Sequence, residues 1–190
     1  TGIYIIRHDL PGNPSVKVVP ENVQATSLAT TLGCAEFSVS TVEHCLSMLA
    51  AFRVDNLFIE MEGPEIPIGD GSARTFMEAL LSAGLFDQDA PREYAYVTQH
   101  VFYGDGDKHA YVVPYNGLRI TATIDFAHPS IGLQRLDIDI NEESFIREIA
   151  SARTFGFLKD VETMRSRGLA LGGSLDNAIV LDQDTVMNPE

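Results

Sequence analysis

An α+β fold made of two similar units is what this chain predicts, and three observations lead to it. Apolar residues recur at helical spacing over Val42, Cys45, Leu46, Leu49 and Ala50, the mark of one buried helix face. Shortly after, Leu57, Ile59 and Met61 alternate against Phe58, Glu60 and Glu62, the period-two pattern of a half-buried strand. A polar, Pro-bearing break, FDQDAPREYAY, then separates these from a second set of strand-like and helix-like segments. With 190 residues there is room for one domain or two small ones, and the break divides the chain into a first unit over 1–90 and a second over 91–190.

Taken in order, the chain opens on a strand-like segment in which Ile3 and Ile5 alternate with Tyr4 and Ile6, followed by a polar connection from Leu10 to Asn22. The stretch SLATTLGCAEFSVS reads as a Thr/Ser-rich connection into the first helix, with Thr41 as its N-cap. The strand at 57–61 runs into a Pro/Gly turn, GPEIPIGDG, where Asp70 and Ser72 read as local acceptors for backbone donors. A second helix begins at Ser72, with Phe76, Ala79, Leu80 and Ala83 facing inward and Gly84 as its stop.

Past the break a three-stranded meander is expected: Tyr94 to Phe102, Lys108 to Pro114 and Leu118 to Phe126, joined by the turns GDGD and YNG. Leu118, Ile120, Ala122 and Ile124 share one face of its last strand. Asn141 caps a helix through Phe145, Ile149 and Ala152. A further helix, Lys159 to Arg167, stops at Gly168, and a strand from Ala178 to Leu181 follows a Gly-Gly turn.

Composition, 45% hydrophobic and 21% charged, is that of an ordinary globular protein. The formal charge of -14 argues against nucleic-acid binding, because phosphate contacts need clustered Lys and Arg and here they are scattered singly. Cys34 and Cys45 form neither a disulfide framework nor a metal knuckle, which suits a reducing cytoplasm. No apolar run approaches the roughly 18 residues of a membrane span, and TGIYIIRHDL lacks a signal-peptide pattern. Opening on Thr and closing on VMNPE, the chain reads as cut at both ends.

The stretch STVEHCLSML puts a carboxylate, Glu43, beside an imidazole, His44, in the first turn of the first helix. Sequence neighbours stand about 100° apart on a helix, so the two do not form one tight pair, yet both can edge one cleft. Two readings stand at this point: an acidic residue complementing the helix dipole beside a surface imidazole, or a pair that carries chemistry.

Five stretches, STVEHCLSMLAAFRVDN, GPEIPIGDGSARTF, TIDFAHP, SARTFGFLKDVETMRSRGLALGGSLDNAIVLD and VMNPE, occur together and in this order. They resemble the UDP-3-O-acyl-N-acetylglucosamine deacetylases, the zinc amidohydrolases of lipid A biosynthesis, nearly end to end. The resemblance implies two α+β sandwich units packed face to face with the active site between them, the second carrying a βαβ insert at about 157–186. It further implies a cytoplasmic monomer acting on a UDP-acyl-sugar, with no integral membrane segment. The remaining zinc ligands and the general acid would lie beyond Glu190.

On the same resemblance, His44 is a Zn2+ ligand and Glu43 the base that deprotonates the attacking water. Thr154 of SARTFGF corresponds to a hydroxyl that stabilises the oxyanion. Asp125 and Phe126 of TIDFAHP fall where the uridine end binds, and Phe155 joins them as a substrate contact. Leu158, Val161, Leu175 and Val180 would line an acyl-chain passage, although each would be ordinary core in any α/β segment. His128 reads as a turn residue before Pro129. Two rival readings remain: a UDP-sugar and acyl-chain binding module that has lost hydrolysis, and a metal-free hydrolase pairing Glu43 with Asp70.

Overall fold

The computed structural model describes residues 1–166 and 172–189. Strand β1 (Ile3–Arg7) pairs antiparallel with β2 (Ser15–Lys17), with Ile5 opposite Val16, and both of these side chains are buried. Three short strands follow, β3 (Val23–Ala25), β4 (Thr31–Gly33) and β5 (Ser38–Val39), forming an antiparallel sheet in that order. By composition the stretch SLATTLGCAEFSVS reads as a connection, yet it carries β4 and β5. Its strands are two or three residues long, too short to display an alternation, and Ser and Thr among them mimic loop composition.

Helix α1 (Glu43–Ala51) then leads to β6 (Leu57–Met61), which lies parallel to β1 with Ile5 opposite Ile59. Such a pairing requires a crossover, and the chain from β3 through α1 supplies it. The predicted alternation of β6 holds: Leu57, Ile59 and Met61 are half-buried while Phe58 and Glu60 are exposed. On α1 the buried residues are Cys45, Met48, Leu49 and Ala51, whereas Ala50 faces outward.

Thr41 does not cap α1. Its backbone sits at φ 59°, outside the extended region of a capping residue, and its hydroxyl turns away to donate to Glu65 at 2.7 Å. Val42, already helical at φ −81° and ψ −17°, occupies the cap position without a side-chain bond.

Helix α2 (Arg74–Ala83) packs beside α1 and buries Met77, with Phe76 and Leu80 partly covered. Ala79 and Ala83, expected inside, are exposed; the face that docks runs through Ala73, Phe76, Met77 and Leu80. Gly84 ends the helix at φ 79°, its N–H closing on Leu80 O.

Beyond the polar break the first expected strand begins only at Val101. Strand β7 (Val101–Asp105) pairs with β8 (Lys108–Val112) in one hairpin, and β9 (Arg119–Phe126) pairs with β10 (Gly132–Asp139) in another. The expected meander therefore splits, because β9 takes the unforeseen β10 as its partner over eight residues rather than β8. The apolar face of β9 stays largely open, with Leu118, Ile120 and Ile124 all exposed.

A hydrogen bond from Arg119 holds the Asp137 carboxyl at about 2, and Thr121 adds a second donor. A carboxyl lowered on folding contributes stability above its unfolded value of about 3.9 and loses that contribution as pH falls towards 2. Carboxyl NMR should show Asp137 titrating near 2; a midpoint near the ordinary value would contradict the pairing.

Asn141 caps α3 (Glu142–Ser144) as predicted, through a reciprocal capping box with Ser144 at 2.9 and 3.0 Å. The helix continues as a single π turn, Phe145–Ile149, and leaves Ala152 exposed. Asn141→Ala should cost about 1 kcal/mol in denaturant unfolding; an unchanged midpoint would show that the box adds nothing.

Strands β11 (Phe155–Phe157) and β12 (Ile179–Leu181) pair in parallel, with helix α4 (Leu158–Ser166) between them in sequence. The expected helix end at Arg167 and Gly168 lies outside the described residues. One apolar core gathers Ile5, Val16, Leu32, Val39, Val42, Leu49, Phe52, Ile66 and Met77 together with Phe145 and Ala150. The 142–150 segment thus shares the core built by the first 83 residues, and Phe145 meets Phe52 edge-on at 6.3 Å.

Candidate functional site

Glu43 and His44 stand half-buried in the first turn of α1. One carboxylate oxygen of Glu43 accepts the backbone N–H of Thr30 at 2.9 Å, and Val42 N–H returns to Thr30 O. The Glu43 side chain is therefore tethered to the loop before β4 rather than free in solvent. Among the described residues the His44 ring makes no hydrogen bond, while its carbonyl accepts from Ser47. Neighbouring Cys45 points into the core, and burial pushes its thiol up to about 11, so it stays neutral at ordinary pH.

A catalytic zinc takes three protein ligands and an open position. Among the described residues no three His, Cys, Asp or Glu side chains come together to hold a metal. His44 supplies one imidazole of such a set.

Thr154 lies at the junction of three segments. Its N–H donates to Gly71 O at 2.8 Å and its carbonyl accepts from Ile179 N–H at 2.9 Å. Its own hydroxyl makes no hydrogen bond among the described residues, unlike the local backbone bond that a helix-end threonine forms. The Asp70–Ser72 turn that receives Thr154 leads directly into α2, and α2 packs on α1. This is the physical connection between Thr154 and the Glu43–His44 turn; no direct hydrogen bond or ion pair joins them among the described residues.

Asp70 serves its own turn. One oxygen accepts both the N–H and the hydroxyl of Ser72, at 3.1 and 2.6 Å, and the Ser72 bond holds the carboxyl below its usual range. A carboxylate so engaged is poorly suited to be the second partner of a metal-free hydrolase.

A cleft of about 260 Å³ opens at the end of β9, lined by Phe126, Ala127, His128, Phe157, Lys159, Asp182 and Gln183. Phe126 meets Phe155 at 5.4 Å and Phe157 at 5.8 Å, and the Lys159 ammonium stands 5.3 Å from the Phe157 ring centre. Flat apolar rings beside a cation form a surface suited to a planar heterocycle that carries negative charge. Asp125 precedes this cluster on the exposed side of β9, opposite Leu133.

Phe157 and Lys159 carry no role in the sequence reading, and His128 only that of a turn residue. His128 is 7% exposed, far from a mere turn residue. Its Nδ1 accepts from Ser130 N–H at 3.2 Å, so Nε2 carries the proton and donates to Asp182 O at 3.1 Å. The signal for Phe157 was its spacing two residues from Phe155 on a strand, which lines up aromatics along one side. The signal for His128 lay only in a contact 54 residues distant, which no local pattern carries.

The expected passage residues differ in burial. Leu158 and Leu175 are exposed, Val161 and Val180 half-buried, and Val180 stands opposite Gly156 in the parallel β11–β12 pair.

No helix among the described residues is long and apolar enough to cross a membrane. The family model for UDP-3-O-acyl N-acetylglycosamine deacetylase matches residues 1–190. A curated protein of Bdellovibrio bacteriovorus named UDP-3-O-acyl-N-acetylglucosamine deacetylase is 65% identical over the whole of this chain, and the match covers 63% of the relative. Proteins of the same name from Myxococcus xanthus and Thioalkalivibrio sulfidiphilus are 48% and 44% identical over the whole chain, covering 60% and 63% of their own lengths. The chain thus spans somewhat under two thirds of the curated relatives it matches. A family model matched over residues 1–190, with identities of 44% to 65% along the whole chain, leaves one assignment: the chain belongs to the UDP-3-O-acyl N-acetylglycosamine deacetylase family.

Proposed function

We propose that the protein hydrolyses the N-acetyl group of UDP-3-O-acyl-N-acetylglucosamine, releasing acetate and UDP-3-O-acyl-glucosamine, the committed step of lipid A biosynthesis. The observation that carries this reading is the 65% identity, over all 190 residues, to a relative of that name. In this reading the enzyme is a cytoplasmic monomer whose two α+β sandwich units close face to face around the site. The cofactor is Zn2+, with His44 one of its ligands; when bound, such an ion lowers the pKa of a coordinated water and polarises the amide carbonyl.

Glu43 accepts the proton of the attacking water. Its tether to Thr30 N–H leaves the second carboxylate oxygen available for that role. Thr154, whose hydroxyl makes no hydrogen bond among the described residues, donates it to the oxygen on which charge develops as the amide carbon becomes tetrahedral. The uridine ring lies against Phe126, Phe155 and Phe157, with Asp125 supplying a polar contact at the rim. Leu158, Val161, Leu175 and Val180 lie near the acyl chain, the exposed leucines gaining cover from it.

The test is acetate release from UDP-3-O-acyl-N-acetylglucosamine by the full-length protein, with elemental analysis of bound metal. Turnover that a chelator abolishes and Zn2+ restores is expected. Substrate binding without acetate release would instead favour a binding module, and turnover indifferent to chelation would favour the metal-free hydrolase.

A further inference from the structure

Thr154 is clamped more tightly than a strand-entry residue needs. Beyond its two backbone bonds, the adjacent Arg153 donates Nε–H to Asp70 O at 2.7 Å and Nη2–H to Leu175 O at 3.1 Å. Asn188 completes the fastening: its amide donates to Leu175 O and Ala178 O, both at 2.8 Å, and its carbonyl accepts from Val180 N–H at 2.8 Å. Four separate segments, at 70–71, 153–154, 175–180 and 188, are tied by main-chain bonds of Thr154 and by the Arg153 and Asn188 side chains. Every acceptor that Arg153 uses is a backbone carbonyl, so the guanidinium acts here as a two-armed brace, a geometry that a lysine cannot reproduce.

Gly71 makes the close approach possible. It sits at φ 87°, and a Cβ there would fall 2.2 Å from Asn177 O and 3.5 Å from the Thr154 methyl carbon. The methyl is the part of Thr154 that faces the bare Cα of Gly71. A β-branched side chain has few χ1 states, so fixing the methyl also fixes the direction of the hydroxyl, which stays without an internal partner among the described residues.

We infer that Arg153 and Gly71 are positioning residues that lock the backbone and χ1 of Thr154 and so present its hydroxyl to the reacting carbonyl. The inference rests on the reading of Thr154 as oxyanion donor proposed above. Arg153 touches no reacting atom; its effect on the reaction passes through Thr154.

The decisive experiment is a double-mutant cycle in the full-length, Zn2+-loaded protein, reading kcat and KM for acetate release from Arg153→Gln, Thr154→Val and the double variant. Thr154→Val keeps the shape and removes the hydroxyl; it should lower kcat by about 100-fold. Arg153→Gln should lower kcat by about 10-fold with KM within about twofold, since loosening a positioned group costs turnover rather than binding. The double variant should be no slower than Thr154→Val alone. Methyl NMR without substrate should show Thr154 χ1 averaging in Arg153→Gln and a single rotamer in the parent; Arg153→Lys, which keeps one arm, should fall between in both readouts.

Multiplying losses in the double variant, or a reduced kcat with the Thr154 rotamer unchanged, would overturn the positioning role. A Thr154→Val protein as fast as the parent would overturn the oxyanion reading itself, a separate failure visible in that single variant.

Discussion

Glu43→Gln in the full-length protein should reduce kcat for acetate release by about 10²–10⁴-fold while leaving KM and thermal stability near those of the parent. The size follows from removing a positioned general base. The selectivity follows from the structure: a glutamine carbonyl still accepts the Thr30 N–H that Glu43 accepts at 2.9 Å, so the loop before β4 and the first turn of α1 keep their tie. Glu43→Ala, which loses that acceptor as well, should show the same kinetic defect plus a stability loss of about 1 kcal/mol. Steady-state kinetics beside a thermal melt separate the two. If Glu43→Gln turned over at half the parental rate, Glu43 would be a structural tether and nothing else.

The second large effect concerns the fold. Phe145→Ala should destabilise the protein by about 3–5 kcal/mol, the range for deleting a buried aromatic. Phe145 is 2% exposed and lies edge-on to Phe52, inside a core furnished mostly by Ile5, Val16, Leu49 and their neighbours from the first 83 residues. Its neighbour Ile146 is 43% exposed, so Ile146→Ala serves as the control and should cost far less. Denaturant unfolding followed by two probes would read both. Equal, small losses would mean that the 142–149 turn lies against the core without belonging to it.

These two cases show where sequence reasoning had purchase. The helix at 43–51 and the strand at 57–61 were legible because each has one covered face and one open face, which forces a period into the sequence. The Asn141 cap was legible because its partner lies three residues away. The Glu43–His44 pair was visible as adjacent letters, although its chemistry came from the resemblance of the surrounding blocks and not from its spacing.

Other features had no local imprint. Strands β3 to β5 are stabilised by one another rather than by an internal pattern, and β10 declared itself only by pairing along β9. Thr41 is a favourable cap by residue type, yet its backbone sits at φ 59° and its hydroxyl points to Glu65, 24 residues on. Which small residues of α2 face the core was decided by where α1 lies, not by α2 alone.

By itself, then, the sequence determined the α+β character, the positions of the main helices, the family and the residue types available for hydrolysis, all of which are set by contacts within a few residues or by residue identity. Tertiary structure alone decided that His128 is a buried pin on Asp182, that Arg153 and Gly71 brace Thr154, and that Phe145 joins the core of the opening segment. Each of those depends on hydrogen bonds or packing between groups some 50 to 90 residues apart. Chain connectivity puts no periodic signature on such pairs, so they exist only once the fold has brought them together.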